Sequence, residues 1–211
     1  MAKAYARSQN ITVNGSEIPF DGVTIGLAGF DNPFRDGFTE ETIKEVKSGL
    51  SFHLDKEGNI WAEKRCRCRV FALDCRKGLG KTCLDRKIVL NDGELTRKCK
   101  VFDMEEFRAN VFRLMDSDHP DIECLKCQTV VTLCFNYNGK SVLNSPYTLM
   151  LVNMIALDIL KSRFPLATGA NKKQQLCGHF RSVVNKVWAS VRKLGELRPL
   201  PSIFAAANLI P

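Results

Sequence analysis

The chain passes from a strand pattern to a helix pattern within residues 100–107, which read KVFDMEEF. Residues 98–102 are a strand candidate. The Asp103 side chain can accept a hydrogen bond from the Glu106 backbone N–H, and the Glu106 side chain can accept one from the Asp103 N–H. This reciprocal pair predicts a capped helix start. The helix that follows places four apolar side chains on one face: Phe107, Val111, Leu114 and Met115. The sequence therefore predicts a strand that leads directly into a capped amphipathic helix.

Outward from this step, most of the predicted elements are short strands. Before it we predict strands over 10–13, 23–27, 50–54, 59–63, 68–73 and 87–90, with one short helix that Thr39 caps and Gly49 ends. After it we predict a strongly apolar, central strand over 128–137, a strand over 147–152 and a helix over 154–164. Strands and helices do not alternate as in parallel α/β folds, so the pattern predicts an α+β fold with a mostly antiparallel core.

The composition fits one large domain or at most two small ones. The 211 residues are 45% hydrophobic and carry a net charge of +8. Residues 61–100 hold 12 basic and 5 acidic side chains (+7), and residues 161–211 hold 9 and 1 (+8), whereas residues 1–60 and 101–160 sum to −3 and −4. Two separate basic blocks predict an anionic partner, which charge alone leaves open among nucleic acid, acidic peptide, phosphopeptide and membrane surface.

The cysteines and the termini bear on the compartment. The N-terminus lacks the apolar core of a signal peptide, and the longest apolar stretch, residues 148–160, is too short and too polar to span a bilayer. We therefore expect an intracellular, soluble protein that is not inserted in a membrane. Nine cysteines are an odd number, and without a secretory signal they do not indicate a disulfide framework.

Three patterns give weak indications of other chemistry. Residues 78–82 end like a phosphate-binding loop, but Cys75 stands where that loop needs its first glycine. Cys124 and Cys127 form one CxxC knuckle, whereas a structural zinc site needs two. No nucleophile or acid–base spacing appears around the three histidines. We expect no enzyme activity, no cofactor and no metal, and an enzyme or zinc protein stays a third alternative.

An arginine-rich run lies within the first basic block. If residues 68–73 form a strand, the alternation places Arg65, Arg67 and Arg69 on one face, and the opposite face carries Cys66, Cys68 and Val70. Three guanidinium groups in a row suit phosphate or carboxylate oxygens. The alternative is a solvated strand face that binds nothing.

The second basic block contains an amphipathic helix pattern. Its apolar face would carry Leu176, Phe180, Val183, Val184, Val187, Val191 and Leu194. Either this helix covers one end of the core, or Phe180, Val184, Val187 and Val191 dock a partner in a groove.

Five segments in order resemble the association domain of the interferon regulatory factors, which belongs to the same superfamily as the Smad MH2 and FHA domains. They are residues 47–52, 59–64, 67–71, 100–107 and 131–135. The resemblance covers roughly residues 20–165 and implies an antiparallel β-sandwich with flanking helices. We accordingly expect an association domain over 1–165, on which the helix and tail of 166–211 pack.

The chain departs from the family pattern at two places. The acidic pair of the family is replaced by residues 136–138, which read NYN, and the DNA-binding domain of the family is absent from this sequence. We expect an association domain alone, from a shortened or divergent relative of cellular or viral origin.

The resemblance also implies a function. It places Lys64, Arg67 and Arg69, with Arg65 between them and Arg97 nearby, on phosphate-reading positions. The implied partners are transcription factors or adaptor proteins with acidic or phosphorylated motifs, or like domains in a homo- or heterodimer. The implied role is to modulate transcriptional or innate immune signalling in nucleus and cytoplasm. The alternative is nucleic-acid binding by the two basic blocks. The blocks have few aromatic side chains among their basic residues, which argues against the base stacking of a single-strand binder.

Overall fold

The computed structural model describes residues 9–31, 35–74, 86–90, 98–117, 121–136 and 145–164. The strands in these ranges are β1 (Asn10–Asn14), β2 (Thr24–Gly26), β3 (Leu50–Leu54), β4 (Ile60–Lys64), β5 (Val70–Asp74), β6 (Arg86–Leu90), β7 (Lys98–Phe102), β8 (Val130–Phe135) and β9 (Tyr147–Val152). The helices are α1 (Gly37–Val46), α2 (Met104–Met115), α3 (Ile122–Gln128) and α4 (Met154–Arg163).

The strands form two sheets that share one core. The first sheet has the order β2-β1-β3-β4-β7 and the second the order β6-β5-β8-β9. Among the described pairs only β1 and β2 run parallel. Phe52 of the first sheet and Phe135 of the second belong to the same buried cluster. The predicted α+β architecture with a mostly antiparallel core is confirmed.

The start of α2 follows the predicted pattern. The Asp103 carboxylate accepts hydrogen bonds from the backbone N–H groups of Glu105 and Glu106, at 3.0 and 3.2 Å. Phe107 and Leu114 are buried as predicted, but Met115 is 43% exposed, so its assignment to the core face was wrong. Leu114 follows Phe107 by two turns, whereas Met115 lies about 100° further around the helix.

The start of one helix differs from the prediction, and one further helix was not predicted. Asp36, not Thr39, caps α1, because the Asp36 carboxylate accepts the Thr39 N–H at 2.8 Å. Helix α3 was not predicted, and Asp121 caps it by accepting the Cys124 N–H at 2.9 Å. Since α3 extends to Gln128, the predicted strand over 128–137 shortens to β8, whose residues are all buried.

The β3–β4 turn forms hydrogen bonds to the first residues or caps of two helices, α2 and α4. Asn59 accepts the Met104 N–H at 2.9 Å, and Asn153, which caps α4, donates to the Gly58 carbonyl at 2.8 Å. Partial burial opposes ionisation of Asp55, but hydrogen bonds from the Trp61 indole and from Asn59 outweigh it and lower the Asp55 pKa. The turn therefore ties α2 and α4 to the sheet with buried, satisfied polar groups.

Some of the predicted features lie outside the described residues. These include the four helix-docking residues Phe180, Val184, Val187 and Val191, together with Arg97 and the whole segment 166–211. None of the helices in the described part of the chain is long and apolar enough to cross a lipid bilayer.

Candidate functional site

The arginine-rich run forms a connection between the two sheets. Residues 65–69, which we call the arginine connector, lead from the end of β4 to the start of β5. Arg65, Arg67 and Arg69 are exposed, whereas Cys66 and Cys68 are buried. The predicted alternation of exposure is thus confirmed, although β5 begins at Val70 and the connector is not a strand. A segment that crosses between sheets keeps its inner side chains in the core and leaves the others in solvent.

Backbone hydrogen bonds hold the connector against the end of α1. The Arg65 N–H donates to the Gly49 carbonyl at 2.9 Å, and the Arg67 N–H donates to the Glu45 carbonyl at 3.3 Å. The Glu45 carbonyl belongs to the last turn of α1, where carbonyl groups have no partner within the helix. The connector thus satisfies groups that the helix leaves open, and its backbone is fixed by them.

Asn136 joins the connector to both α1 and β8. Its backbone N–H donates to the Arg69 carbonyl at 2.7 Å, and its side-chain oxygen accepts the Arg69 N–H at 3.1 Å. Its amide nitrogen donates to the Thr42 hydroxyl at 3.1 Å and to the Glu45 carboxylate at 2.8 Å. With φ of 49°, Asn136 adopts the left-handed conformation that asparagine tolerates better than most residues. Asn136 therefore holds the Arg69 backbone against α1.

The three arginines differ in how far their charge is already paired. Arg65 donates two hydrogen bonds to the Glu63 carboxylate, at 3.1 and 3.2 Å, and this contact raises the pKa of Arg65. The Arg65 side chain is 53% exposed, so the ion pair adds little stability. Within the described residues, no carboxylate lies in ion-pair range of the exposed Arg67 and Arg69 side chains. Arg67 and Arg69 therefore present the charge that is open to a partner.

Lys64 does not join the exposed row. It is the last residue of β4 and only 8% exposed, with its side chain on the buried side of the strand. The pKa of the Cys66 thiol is lowered, chiefly by its interaction with Cys68 and further by the nearby positive charge of Lys64, so Lys64 lies close to Cys66. The structure thus places Lys64 behind the connector rather than on its solvent face.

Lysines at the end of α1 extend the positive surface. Lys44 and Lys47 are exposed and flank Glu45, whose carbonyl accepts the Arg67 N–H. Cations near a helix C-terminus interact favourably with the helix dipole. We call Arg67, Arg69, Lys44 and Lys47 the basic surface. All four of these side chains are exposed, as is the Glu45 carboxylate beside Lys44, which accepts a hydrogen bond from the Asn136 amide.

The cysteines offer no metal centre in the described part of the chain. Cys124 and Cys127 both lie on α3 and are buried, and Gln128 donates a hydrogen bond to the Cys124 sulfur at 3.5 Å. No group of three or more histidine, cysteine, aspartate or glutamate side chains converges there in a way that could hold a metal ion.

Sequence reasoning identified the arginines but not what positions them. The period-two alternation of arginine and cysteine was the signal for their exposure. Asn136 had been noted only as a departure from an acidic pair. The signal for its role was the residue type, since asparagine directly after a strand often adopts the left-handed conformation.

Residues 1–154 match the sequence model of the MH2 domain. Among solved structures, the interferon regulatory factor 9 IAD domain is similar with a TM-score of 0.46 and 13% sequence identity, covering 73% of this chain and 76% of that one. A structure of STAT2 in complex with IRF9 is similar with a TM-score of 0.42 and 12% identity, covering 61% and 69%. No curated protein sequence matches this chain significantly.

Proposed function

This chain belongs to the family of MH2 domains, and from that premise we propose that its basic surface binds acidic or phosphorylated segments of partner proteins. Domains of this family are protein-interaction modules in signalling. The finer assignment rests on the charge and the anchoring of the arginine connector.

The observation that carries the proposal is the pair of arginines on a fixed backbone. Arg67 and Arg69 are exposed and two residues apart, and the backbone that bears them is hydrogen-bonded to α1 and to Asn136. Guanidinium groups donate two parallel hydrogen bonds to phosphate or carboxylate oxygens. A fixed backbone lowers the entropy that ordering the site costs on binding.

The expected affinity gain is moderate because the site is open. A hydrogen bond to a charged group contributes about 1.5–3 kcal/mol when it is shielded, and much less at an exposed position. Two such arginines should together contribute about 1.4 kcal/mol, which is a factor of about ten in affinity. The remaining affinity would come from neighbouring apolar contacts that a partner makes.

We further propose that the partners are transcription factors or adaptor proteins that carry acidic or phosphorylated motifs, or a second association domain. The role would be to modulate transcriptional or innate immune signalling in the nucleus and the cytoplasm. This finer assignment follows from the resemblance to the interferon regulatory factor association domain.

Titration with matched peptides tests the proposed function. We expect an acidic peptide with one phosphoserine to bind about tenfold more tightly than its unphosphorylated form, measured by fluorescence anisotropy at about 0.1 M salt. The double variant Arg67→Ala/Arg69→Ala should lose this preference. Arg108→Ala removes an exposed arginine from α2 and should leave it unchanged.

Two outcomes would contradict the proposal. One is equal affinity of the two peptides for the unaltered protein. The other is a single-stranded oligonucleotide that binds more tightly than the phosphopeptide and loses affinity steeply with salt, which would favour the nucleic-acid alternative. Arg65→Ala should have a smaller effect than either Arg67→Ala or Arg69→Ala, because Arg65 already pairs with Glu63.

A further inference from the structure

One carboxylate lies next to the two arginines of the basic surface. Glu45 is an exposed residue in the last turn of α1. Its carbonyl accepts the Arg67 N–H at 3.3 Å, and its carboxylate accepts a hydrogen bond from the Asn136 amide at 2.8 Å. Asn136 is in turn hydrogen-bonded to the Arg69 backbone. Glu45 is therefore tied to the backbone positions of both arginines, although its side chain has the opposite charge.

The hydrogen bond from Asn136 orients the Glu45 carboxylate without neutralising it. A side-chain amide donates a hydrogen bond but carries no net charge. In the part of the chain that the structure describes, no lysine or arginine nitrogen lies within ion-pair range of Glu45. An acidic side chain in the last turn of a helix also interacts unfavourably with the helix dipole, so the stability of α1 does not explain the charge.

This arrangement of charges suits one compact anion better than a row of anions. Arg67 and Arg69 can donate hydrogen bonds to the oxygens of a single phosphate group. The Glu45 carboxylate repels any further negative group that a partner brings to the α1 side of the connector. Like charges that meet across an interface disfavour the partner that brings them, and such repulsion is a common source of specificity. A phosphoserine concentrates its charge on one group, whereas a run of acidic residues extends past the two arginines.

We propose that Glu45 determines the specificity of the basic surface, by favouring a single phosphoresidue with uncharged neighbours over a phosphoresidue within a run of acidic residues. Asn136 is a positioning residue in this arrangement, because its amide holds the Glu45 carboxylate in place. The inference rests on the proposed function, since it takes Arg67 and Arg69 as the phosphate-binding pair. It narrows the class of partner from acidic or phosphorylated segments to phosphorylated ones.

Two peptides and two proteins measure the effect of the Glu45 charge. Each peptide contains one phosphoserine, whose neighbours on both sides are alanine in the first peptide and glutamate in the second. The readout is the ratio of the two affinities, measured by fluorescence anisotropy at about 0.05 M salt, where screening is weak. The unaltered protein should bind the alanine-flanked peptide at least as tightly as the glutamate-flanked one. Glu45→Gln should shift the ratio about fourfold toward the glutamate-flanked peptide, which is the effect of removing one like-charge contact at about 5 Å in water.

Two controls separate the charge of Glu45 from a structural role and from the net charge of the protein. Glu45→Gln keeps a side-chain oxygen that can accept the Asn136 amide, so its urea unfolding curve should match that of the unaltered protein. Glu105→Gln removes an exposed carboxylate from α2, outside the basic surface, and should leave the affinity ratio unchanged. At about 0.5 M salt the shift caused by Glu45→Gln should fall below about twofold, because exposed charges are then screened.

The outcomes distinguish this inference from the proposed function. Tight phosphopeptide binding with the same affinity ratio in Glu45→Gln as in the unaltered protein would overturn the role of Glu45 and leave the proposed function standing. An equal shift in Glu105→Gln would also overturn it, as would an unaltered protein that binds the glutamate-flanked peptide several-fold more tightly than the alanine-flanked one. If neither protein binds either phosphopeptide, the proposed function fails, and the assignment of Glu45 fails with it.

Discussion

Replacing Gly49 with alanine is expected to lower the free energy of unfolding by about 4 kcal/mol. Gly49 has φ of +76°, where a non-glycine residue costs about 1–2 kcal/mol. A Cβ at this position would also collide with the Val13 carbonyl oxygen of β1, and such overpacking costs about 1–3 kcal/mol. Because the colliding atom is backbone, relief requires β1 to move away from β3 at the Val13–Leu50 pair.

The effect should extend to the basic surface as well as to stability. The Gly49 carbonyl accepts the Arg65 N–H, so a shift at Gly49 moves the start of the arginine connector. Urea denaturation followed by circular dichroism measures the loss. Gly37→Ala is the matched control, because a Cβ there meets nothing within 4 Å and Gly37 begins α1. A Gly49→Ala variant within about 1 kcal/mol of the unaltered protein would contradict this interpretation of the turn.

Replacing Asn136 with alanine is expected to lower the free energy of unfolding by about 3 kcal/mol. The substitution removes three side-chain hydrogen bonds and leaves the buried Thr42 hydroxyl without its Asn136 partner. An unsatisfied buried polar group costs about 1–3 kcal/mol. Alanine also tolerates the left-handed backbone of residue 136 less well than asparagine. The Arg69 N–H is exposed and can bind water instead, which limits the loss there.

A glycine variant separates the two contributions to this effect. Asn136→Gly relieves the backbone but not the lost hydrogen bonds, so we expect it to lie about midway between the unaltered protein and Asn136→Ala. Both variants should weaken phosphopeptide binding, because each releases the Arg69 backbone from Asn136. If Asn136→Ala unfolds at the same urea concentration as the unaltered protein, Asn136 does not hold the connector.

Local sequence patterns correctly predicted those elements whose boundaries and exposure depend on residues close together in the sequence. The bounds of β3, β7 and β9 agree with the prediction, and the Asp103 cap and the alternating exposure of Arg67 and Arg69 follow from local rules of capping and period. In each case the deciding interactions lie within a few residues of one another along the chain.

Features set by distant residues were not accessible in the same way. Lys64 belongs to a charged residue type that is rarely buried, and only its place on the inner side of β4 explains its burial. Asn136 contacts residues more than 60 positions away, so no local pattern contains its partners. Helix α3 is two turns long and has too few residues for a clear helical period.

The central claim is that Arg67 and Arg69 contact an anionic segment of the partner. A nitrogen-edited NMR spectrum of the arginine Nε–H groups, recorded while the phosphoserine peptide is added, tests it most directly. We expect the signals of Arg67 and Arg69 to shift and saturate together, while those of Arg108 and of Arg163, which lies over the Phe112 ring, stay in place. Saturable shifts at other arginines, with Arg67 and Arg69 unchanged, would contradict the claim.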